Sequence, residues 1–198
     1  MSNARRIHCR ADRSAARATI ERVTEVRTAH TAYLDELTLG AARELLYASF
    51  GDMTEHDWEH NLGGIHALVW EGPELIAHAS VYQRRLIYRG RTLRAGYVEG
   101  VAVRPDRRRR GHGGAVMAAV ERVVRDGHDL GALGATDEAV PLYTAHGWRQ
   151  WQGHLFALTP EGVVRTEEED GNVYVLPGDV PLDLAGELTC DWRDGDVW

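Results

Sequence analysis

The sequence predicts a single α/β domain, of the α+β kind, built on a mixed but mostly antiparallel sheet. Three observations carry this. A chain of 198 residues with 43% hydrophobic side chains has room for one ordinary core. Between residues 65 and 103, three extended runs alternate with turn signals, as in an antiparallel meander. After Gly113 the apolar period becomes helical, and a short strand and a second helix follow.

Residues 26–30 read as a short strand. Residues 38–50 read as a helix, with Leu39, Ala42, Leu45, Leu46 and Ser49 at helical spacing. Thr54 is an N-cap ahead of acids and Trp58, so a short helix is expected to about Asn61, with Gly63-Gly64 ending it. The meander comprises 65–70, a turn at Glu71-Gly72-Pro73-Glu74, then 75–88, a turn at Arg89-Gly90-Arg91, and 92–103. Arg104-Pro105-Asp106 closes the last run. From Gly113 onward, Val116, Met117, Val120, Val123 and Val124 mark an amphipathic helix of about four turns. Residues 129–133 read as a short buried strand. Residues 137–146 read as a helix with Pro141 as an irregularity inside it, and 148–158 as one or two strands. In the tail, 173–176 and 187–190 are strand candidates. No repeat or low-complexity linker marks a domain boundary.

Composition removes several chemistries. All 23 basic residues are Arg, so Schiff-base and P-loop lysines are excluded. Two cysteines, Cys9 and Cys190, cannot build a disulfide framework; a reduced, cytoplasmic setting is the simplest reading. No apolar run of about 18 residues offers a membrane-spanning helix, and no membrane partner is expected. The Arg-rich start lacks the apolar core of a secretory signal, while Asp12, Glu21 and Glu25 argue against a transit peptide. Charge is segregated. Residues 35–74 hold nine acids and one Arg, 84–125 hold twelve Arg and three acids, and 161–198 hold eleven acids and two Arg. Such runs are usually solvated surface; the alternative is a basic site for an anion beside an acidic site for a cation. The net charge of −7 argues against a general nucleic-acid partner.

The most informative run is Val101-Ala102-Val103-Arg104-Pro105-Asp106-Arg107-Arg108-Arg109-Arg110-Gly111-His112-Gly113-Gly114. Four consecutive Arg precede glycines that open a helix. A helix N-terminus has unpaired N–H groups and partial positive charge, and glycine lets a phosphate approach that backbone. The run suits a pyrophosphate. It is neither a dinucleotide fingerprint nor a P-loop, and solvated Arg on a Gly-rich turn is the structural alternative.

The order of elements, the loop Arg108-Arg109-Arg110-Gly111-His112-Gly113, and Tyr143 ahead of Gly147-Trp148 resemble the GNAT superfamily of N-acetyltransferases. The resemblance narrows to one branch, the aminoglycoside 2′-N-acetyltransferases. It rests on 57–68 (DWEHNLGGIHAL), 83–90 (QRRLIYRG), 96–103 (GYVEGVAV) and 190–198 (CDWRDGDVW). It covers roughly 27–198 and leaves 1–26 as a polar N-terminal extension, a candidate for poor order.

That resemblance implies a splayed central strand, helices on both sheet faces, and acetyl-CoA lying in the splay. It would lie along Val101, Ala102 and Val103, paired with main-chain groups of Val101 and Val103; the Val101 N–H would polarise the thioester carbonyl, and Arg108, Arg109, Arg110, Gly111, His112 and Gly113 would hold the pyrophosphate. Glu99 would be the general base through ordered water, and Tyr143 the general acid. Taken as residues alone, Glu99 reads better as an ion pair with a nearby Arg and Tyr143 as a core aromatic with a bonded hydroxyl; the motif match reverses both. The polycationic acceptor would meet Asp52, Asp57, Glu99 with the Gly100 carbonyl, Gly134, Glu168, Glu169, Asp196 and the terminal carboxylate of Trp198. Three positions depart from the pattern: Gly134 stands where Ser is found, Glu169 where Asp is usual, and Arg109 where Gly is frequent. A homodimer is also implied.

His56 and His60 lie at i and i+4 in a zincin-like arrangement. No third ligand is apparent, so surface histidines are the better reading and no metal is expected. Rival functions are a same-fold enzyme for another amine, such as a polyamine or a cell-wall amino sugar, and a non-catalytic ligand sensor.

Overall fold

The computed structural model describes residues 25–198. The expected extension, with Cys9, falls up to residue 24 outside them. The elements follow the order set by the periodicity: β1 (Val26–His30), α1 (Glu36–Ser49), α2 (Glu55–Glu59), β2 (Ile65–Glu71), β3 (Glu74–Tyr88) and β4 (Arg91–Val103) come first. Then come α3 (His112–Gly127), β5 (Leu130–Gly134), α4 (Val140–Ala145), β6 (Arg149–Gln150), β7 (Leu155–Thr159), β8 (Gly162–Arg165), β9 (Val173–Pro177) and β10 (Leu188–Asp191). Caps set the helix starts. The Asp35 carboxylate accepts from the Thr38 N–H at 2.8 Å and opens α1 two residues before the expected start. Thr54 and Asp57 form a reciprocal capping box on α2.

Two expectations are corrected. The helix expected from 137 begins at Val140, so Pro141 sits in its first turn, where a missing N–H costs no bond. Strand β8 was not expected. It pairs only with β7, at the end of the sheet, and leaves Val163 and Val164 exposed, so it shows no buried alternation to read.

The described strands form one mixed sheet in the order β6-β9-β5-β4-β3-β10-β7-β8, with β2 on the first half of β3 and β1 on β2. The meander β2–β3–β4 is antiparallel, as the turn signals require. Strand β5 joins β4 in parallel, but only at Ala95–Leu130, Gly96–Gly131 and Tyr97–Ala132. Strand β5 continues against β9 to Gly134. Past Tyr97, β4 therefore keeps β3 on one side and has no strand on the other.

Alternation divides the core. Ala67 and Val69 of β2 pack into a cluster with Val116, Met117, Val120 and Val124 of α3, whereas Leu68 packs with Ala42, Leu45 and Leu46 of α1. Helices thus cover both faces. One core group was not foreseen. Glu121 on α3 is 3% exposed and accepts from Trp148 Nε1 at 2.9 Å, with His146 Nδ1 at 3.0 Å and Arg125 Nη2 at 3.3 Å. It anchors the segment after α4 to α3. Among the described residues no helix is long and apolar enough to cross a membrane.

Replacing Glu121 with Ala strands the Trp148 indole N–H in the core. Denaturant unfolding should show a loss of about 2–3 kcal/mol, and Glu121→Gln, which keeps an acceptor, should lose less than half as much.

Candidate active site

The site begins with an extra residue in β4. His78 faces Ala102 and Ser80 faces Glu99, so Gly100 and Val101 together oppose the single residue Ala79. Gly100 has φ +56°, and a Cβ there would run into the Asn61 side-chain oxygen. Glycine is required twice over. The bulge is held from β3. His78 Nδ1 donates to Gly100 O at 2.7 Å, and the single Ser80 hydroxyl proton has Asn61 Oδ1 at 2.8 Å as its nearer acceptor, with Glu99 O at 3.3 Å.

Behind His78 lies a buried chain. His78 Nε2 is 2.9 Å from His66 Nδ1, and His66 Nε2 is 2.8 Å from Thr31 Oγ1. Because a carbonyl only accepts, His78 must carry its proton on Nδ1. His66 then donates to His78, and Thr31 to His66, which assigns both tautomers from the network. Both imidazoles are wholly buried, and burial pushes His66 down to about 4 and His78 to about 3, so both are neutral.

Glu99 projects from this bulge. Its Oε1 accepts from Arg193 Nη1 at 2.6 Å, while Oε2 has no protein partner among the described residues. The ion-pair alternative is therefore realised, on one oxygen. Burial raises the Glu99 pKa above the ordinary carboxylate range, and Arg193 opposes that rise without cancelling it. Tyr143, on α4, is buried and feels the Glu99 charge; burial pushes its phenol well up. Its hydroxyl takes no hydrogen bond among the described residues, unlike a core tyrosine tied down by its oxygen.

The Arg loop lies at the open end of the splay. Gly111 caps α3 with φ +86° and no side-chain cap, leaving the first N–H groups of α3 without a side-chain acceptor. Arg109 and Arg110 are exposed and have no ion pair among the described residues. Arg108, also exposed, is bonded instead to Val103 O at 3.3 Å and Glu138 at 3.2 Å. His112 Nδ1 is buried without a partner. Splay, uncapped helix start, free guanidinium groups and orphaned imidazole nitrogen together fit a ligand that is extended at one end and anionic at the other. Arg109 has φ +60°, a left-handed conformation that costs a side-chain-bearing residue about 1 kcal/mol. That explains why glycine suits the position.

The expected acceptor residues fall into two groups. The segment after β10 brings Asp196 and Trp198 beside Glu99, Gly134 and Glu169. Trp198 O is the nearest atom to a Cβ built on Gly134, at 3.9 Å, and Asp196 helps raise the pKa of both Glu99 and Glu169, burial being the larger cause in each. Glu168 adjoins this group and is exposed. Asp57 is committed to the α2 cap through Oδ2, and Asp52 is exposed in the preceding turn with no bond among the described residues. His60 Nε2 donates to Asp194 O of the terminal segment at 2.8 Å, and no group of three or more His, Cys, Asp or Glu that could hold a metal ion is found among the described residues. Sequence reasoning missed His66, His78, Ser80, Asn61, Arg84 and Arg193. Alternating His in adjacent strands was the only signal available for the imidazole chain.

The acetyltransferase (GNAT) domain family matches residues 26–151. An aminoglycoside 2′-N-acetyltransferase of Mycolicibacterium fortuitum is 51% identical over 177 residues, 87% of this chain and 91% of the relative. Among solved structures, a GNAT family N-acetyltransferase (YhbS) of Escherichia coli in complex with CoA superposes with a TM-score of 0.57, at 12% identity over 86% of this chain and 90% of that one. A GCN5-related N-acetyltransferase of Kribbella flavida gives 0.53 at 25% identity, over 66% of this chain and 35% of that one.

Arg109→Gly relieves the left-handed strain and removes one free cation. Thermal melting should show unchanged or slightly higher stability, while titration with coenzyme A should show affinity reduced about tenfold.

Proposed function

The chain belongs to the acetyltransferase (GNAT) family, and on that premise we propose that it transfers acetyl from acetyl-CoA to the 2′-amino group of an aminoglycoside. The observation that carries the substrate is the 51% identity, over most of both chains, to an aminoglycoside 2′-N-acetyltransferase. The acid-lined surroundings of Glu99 agree with it, since a polycation needs a negative site.

Acetyl-CoA, when bound, supplies the acetyl group as an activated thioester. The residues divide the remaining work. Val101 and Val103 offer main-chain groups on the open side of β4, with Ala102 between them bonded toward β3, and the Val101 N–H is the donor toward developing oxygen charge. Arg109, Arg110, the N–H groups from Gly111 to Gly113, and His112 hold the phosphates, and Arg108 must leave Val103 O to join them. Glu99 Oε2 takes the proton from the acceptor ammonium, directly or through one water. Tyr143 holds a proton for the leaving sulfur, and its raised phenol keeps that proton at neutral pH. Gly134, Glu168, Glu169, Asp196 and Trp198 bind the sugar cations, with the Gly100 carbonyl, Asp52 and Asp57 at the periphery. Loss of one ammonium weakens an aminoglycoside for RNA phosphates, which amounts to antibiotic resistance. The reading also carries a cytoplasmic homodimer, with edge strand β8 and exposed Val163 and Val164 as the surface for the second copy.

Thiol release from acetyl-CoA across an amine panel tests the substrate. 2′-Aminated aminoglycosides should turn over fastest, and preference for a polyamine or a cell-wall amino sugar would transfer the assignment to the same-fold alternative. Tyr143→Phe should lower kcat by about 100-fold with drug binding intact, an outcome a mere sensor cannot give. Only ionised Glu99 accepts a proton, so kcat should rise with pH along a limb above the ordinary carboxylate range. Asp196→Asn should raise the aminoglycoside KM about tenfold and leave coenzyme A affinity unchanged.

A further inference from the structure

Arg193 does more than neutralise Glu99. It stands in the segment after β10 and makes four hydrogen bonds: Nε to Asp196 O at 2.6 Å, Nη1 to Tyr82 Oη and to Glu99 Oε1, both at 2.6 Å, and Nη2 to Trp198 O at 2.7 Å. Its side chain is 12% exposed and that of Glu99 is 21% exposed. Its guanidinium also lies over the Tyr97 ring, 5.3 Å from the centroid, and Arg84 lies over the same ring at 4.6 Å. Arg84 holds the start and end of the segment, through Asp191 Oδ1 at 2.8 Å, Asp191 O at 2.7 Å and Val197 O at 2.8 Å. The segment is thus tied down at both ends by Arg84, and only Arg193 reaches from it to the base.

Resting on the acetyltransfer reading above, we propose that Arg193 is a positioning residue of the reaction: one planar guanidinium fixes Glu99 by Oε1, leaves Oε2 directed to the acceptor, and sets the Asp196–Trp198 wall at a fixed distance from it. Base and acceptor wall are then aligned by a single rigid fork. A carboxylate free to rotate would offer either oxygen, in an orientation unrelated to the wall. Arg193 also supplies the nearest positive charge to Glu99. The other charged or titratable groups around that carboxylate are Tyr82 and Arg84 from β3, Tyr97 from β4, Tyr143 from α4, and Asp196 from the terminal segment. Of these only Arg84 shares the sign of Arg193, and it makes no bond to Glu99.

Two effects are therefore joined in one side chain, and two substitutions separate them. Arg193→Met removes charge and fork. Its kcat–pH profile should have an acid limb displaced upward by about one pH unit or more, and its aminoglycoside KM should rise at least fivefold, with coenzyme A affinity unchanged. Arg193→Lys keeps the charge and loses the fork. Its acid limb should return to within about half a unit of wild type, while KM stays raised at least fivefold. An unmoved limb in Arg193→Met, or a wild-type KM in Arg193→Lys, overturns the proposal. Should Arg193→Met not fold, the Lys variant decides alone by its KM. Failure of the acetyltransfer reading would look different, because wild-type protein would then release no thiol with any 2′-aminated acceptor.

Discussion

One surplus residue in β4 organises the site. Gly100 and Val101 opposing Ala79 turn the strand away from β5 after Tyr97, and the remaining main chain of β4 is left open on that side. Everything chemical is arranged about this departure: Glu99 at its root, the Arg loop at its far end, and Tyr143 across it on α4. The bulge is held at the Gly100 carbonyl. His78 donates to Gly100 O, and Asn61, itself held by Ser80, closes the space a side chain at residue 100 would need. Unpaired, that carbonyl would cost about 1–3 kcal/mol.

The charge blocks have a spatial meaning that counting alone could not assign. The basic block divides. Arg104 and Arg107 pair with Glu74, Asp106 and Glu71, so they lock the end of β4 to the β2–β3 turn. Arg84 is buried and holds the terminal segment. Arg109 and Arg110, beside the helix start, have no ion pair among the described residues, and neither do Arg85 and Arg91. The acidic tail divides likewise. Asp170 and Asp183 are paired with Arg165 and Arg89, whereas the Glu169 pKa is raised by burial and by Asp196 beside it.

Much of this was legible in the residues. Turn signals at Gly72-Pro73 and Arg89-Gly90 located the meander, and Val116, Met117, Val120 and Val124 gave the buried face of α3, because both patterns are local. Resemblance, not periodicity, pointed to Glu99 and Tyr143. What escaped was non-local. Glu121 looks like a solvated helix charge until Trp148 and His146 are folded onto it. Arg193 looks like one of many surface cations until residues 94 positions apart meet. The early start of α1 and the late start of α4 turn on single capping and proline contacts, which set boundaries more finely than hydrophobic spacing does.

The hydrogen-bonded imidazoles behind the bulge make the fold asymmetric toward acid. His66 and His78 are held neutral to pH values near 4 and 3, whereas an unfolded histidine gains its proton near 6.5. Below that value the unfolded chain binds protons the folded one refuses, so stability drains away as acidity rises and nothing is lost on the alkaline side. When the protons do enter, they take the accepting Nε2 of each ring, so the His66–His78 hydrogen bond is lost and two cations occupy adjoining buried rings behind the bulge. Acid should therefore act as a fuse located at the turning point of the central strand, blowing there before the α3 face of the core gives way.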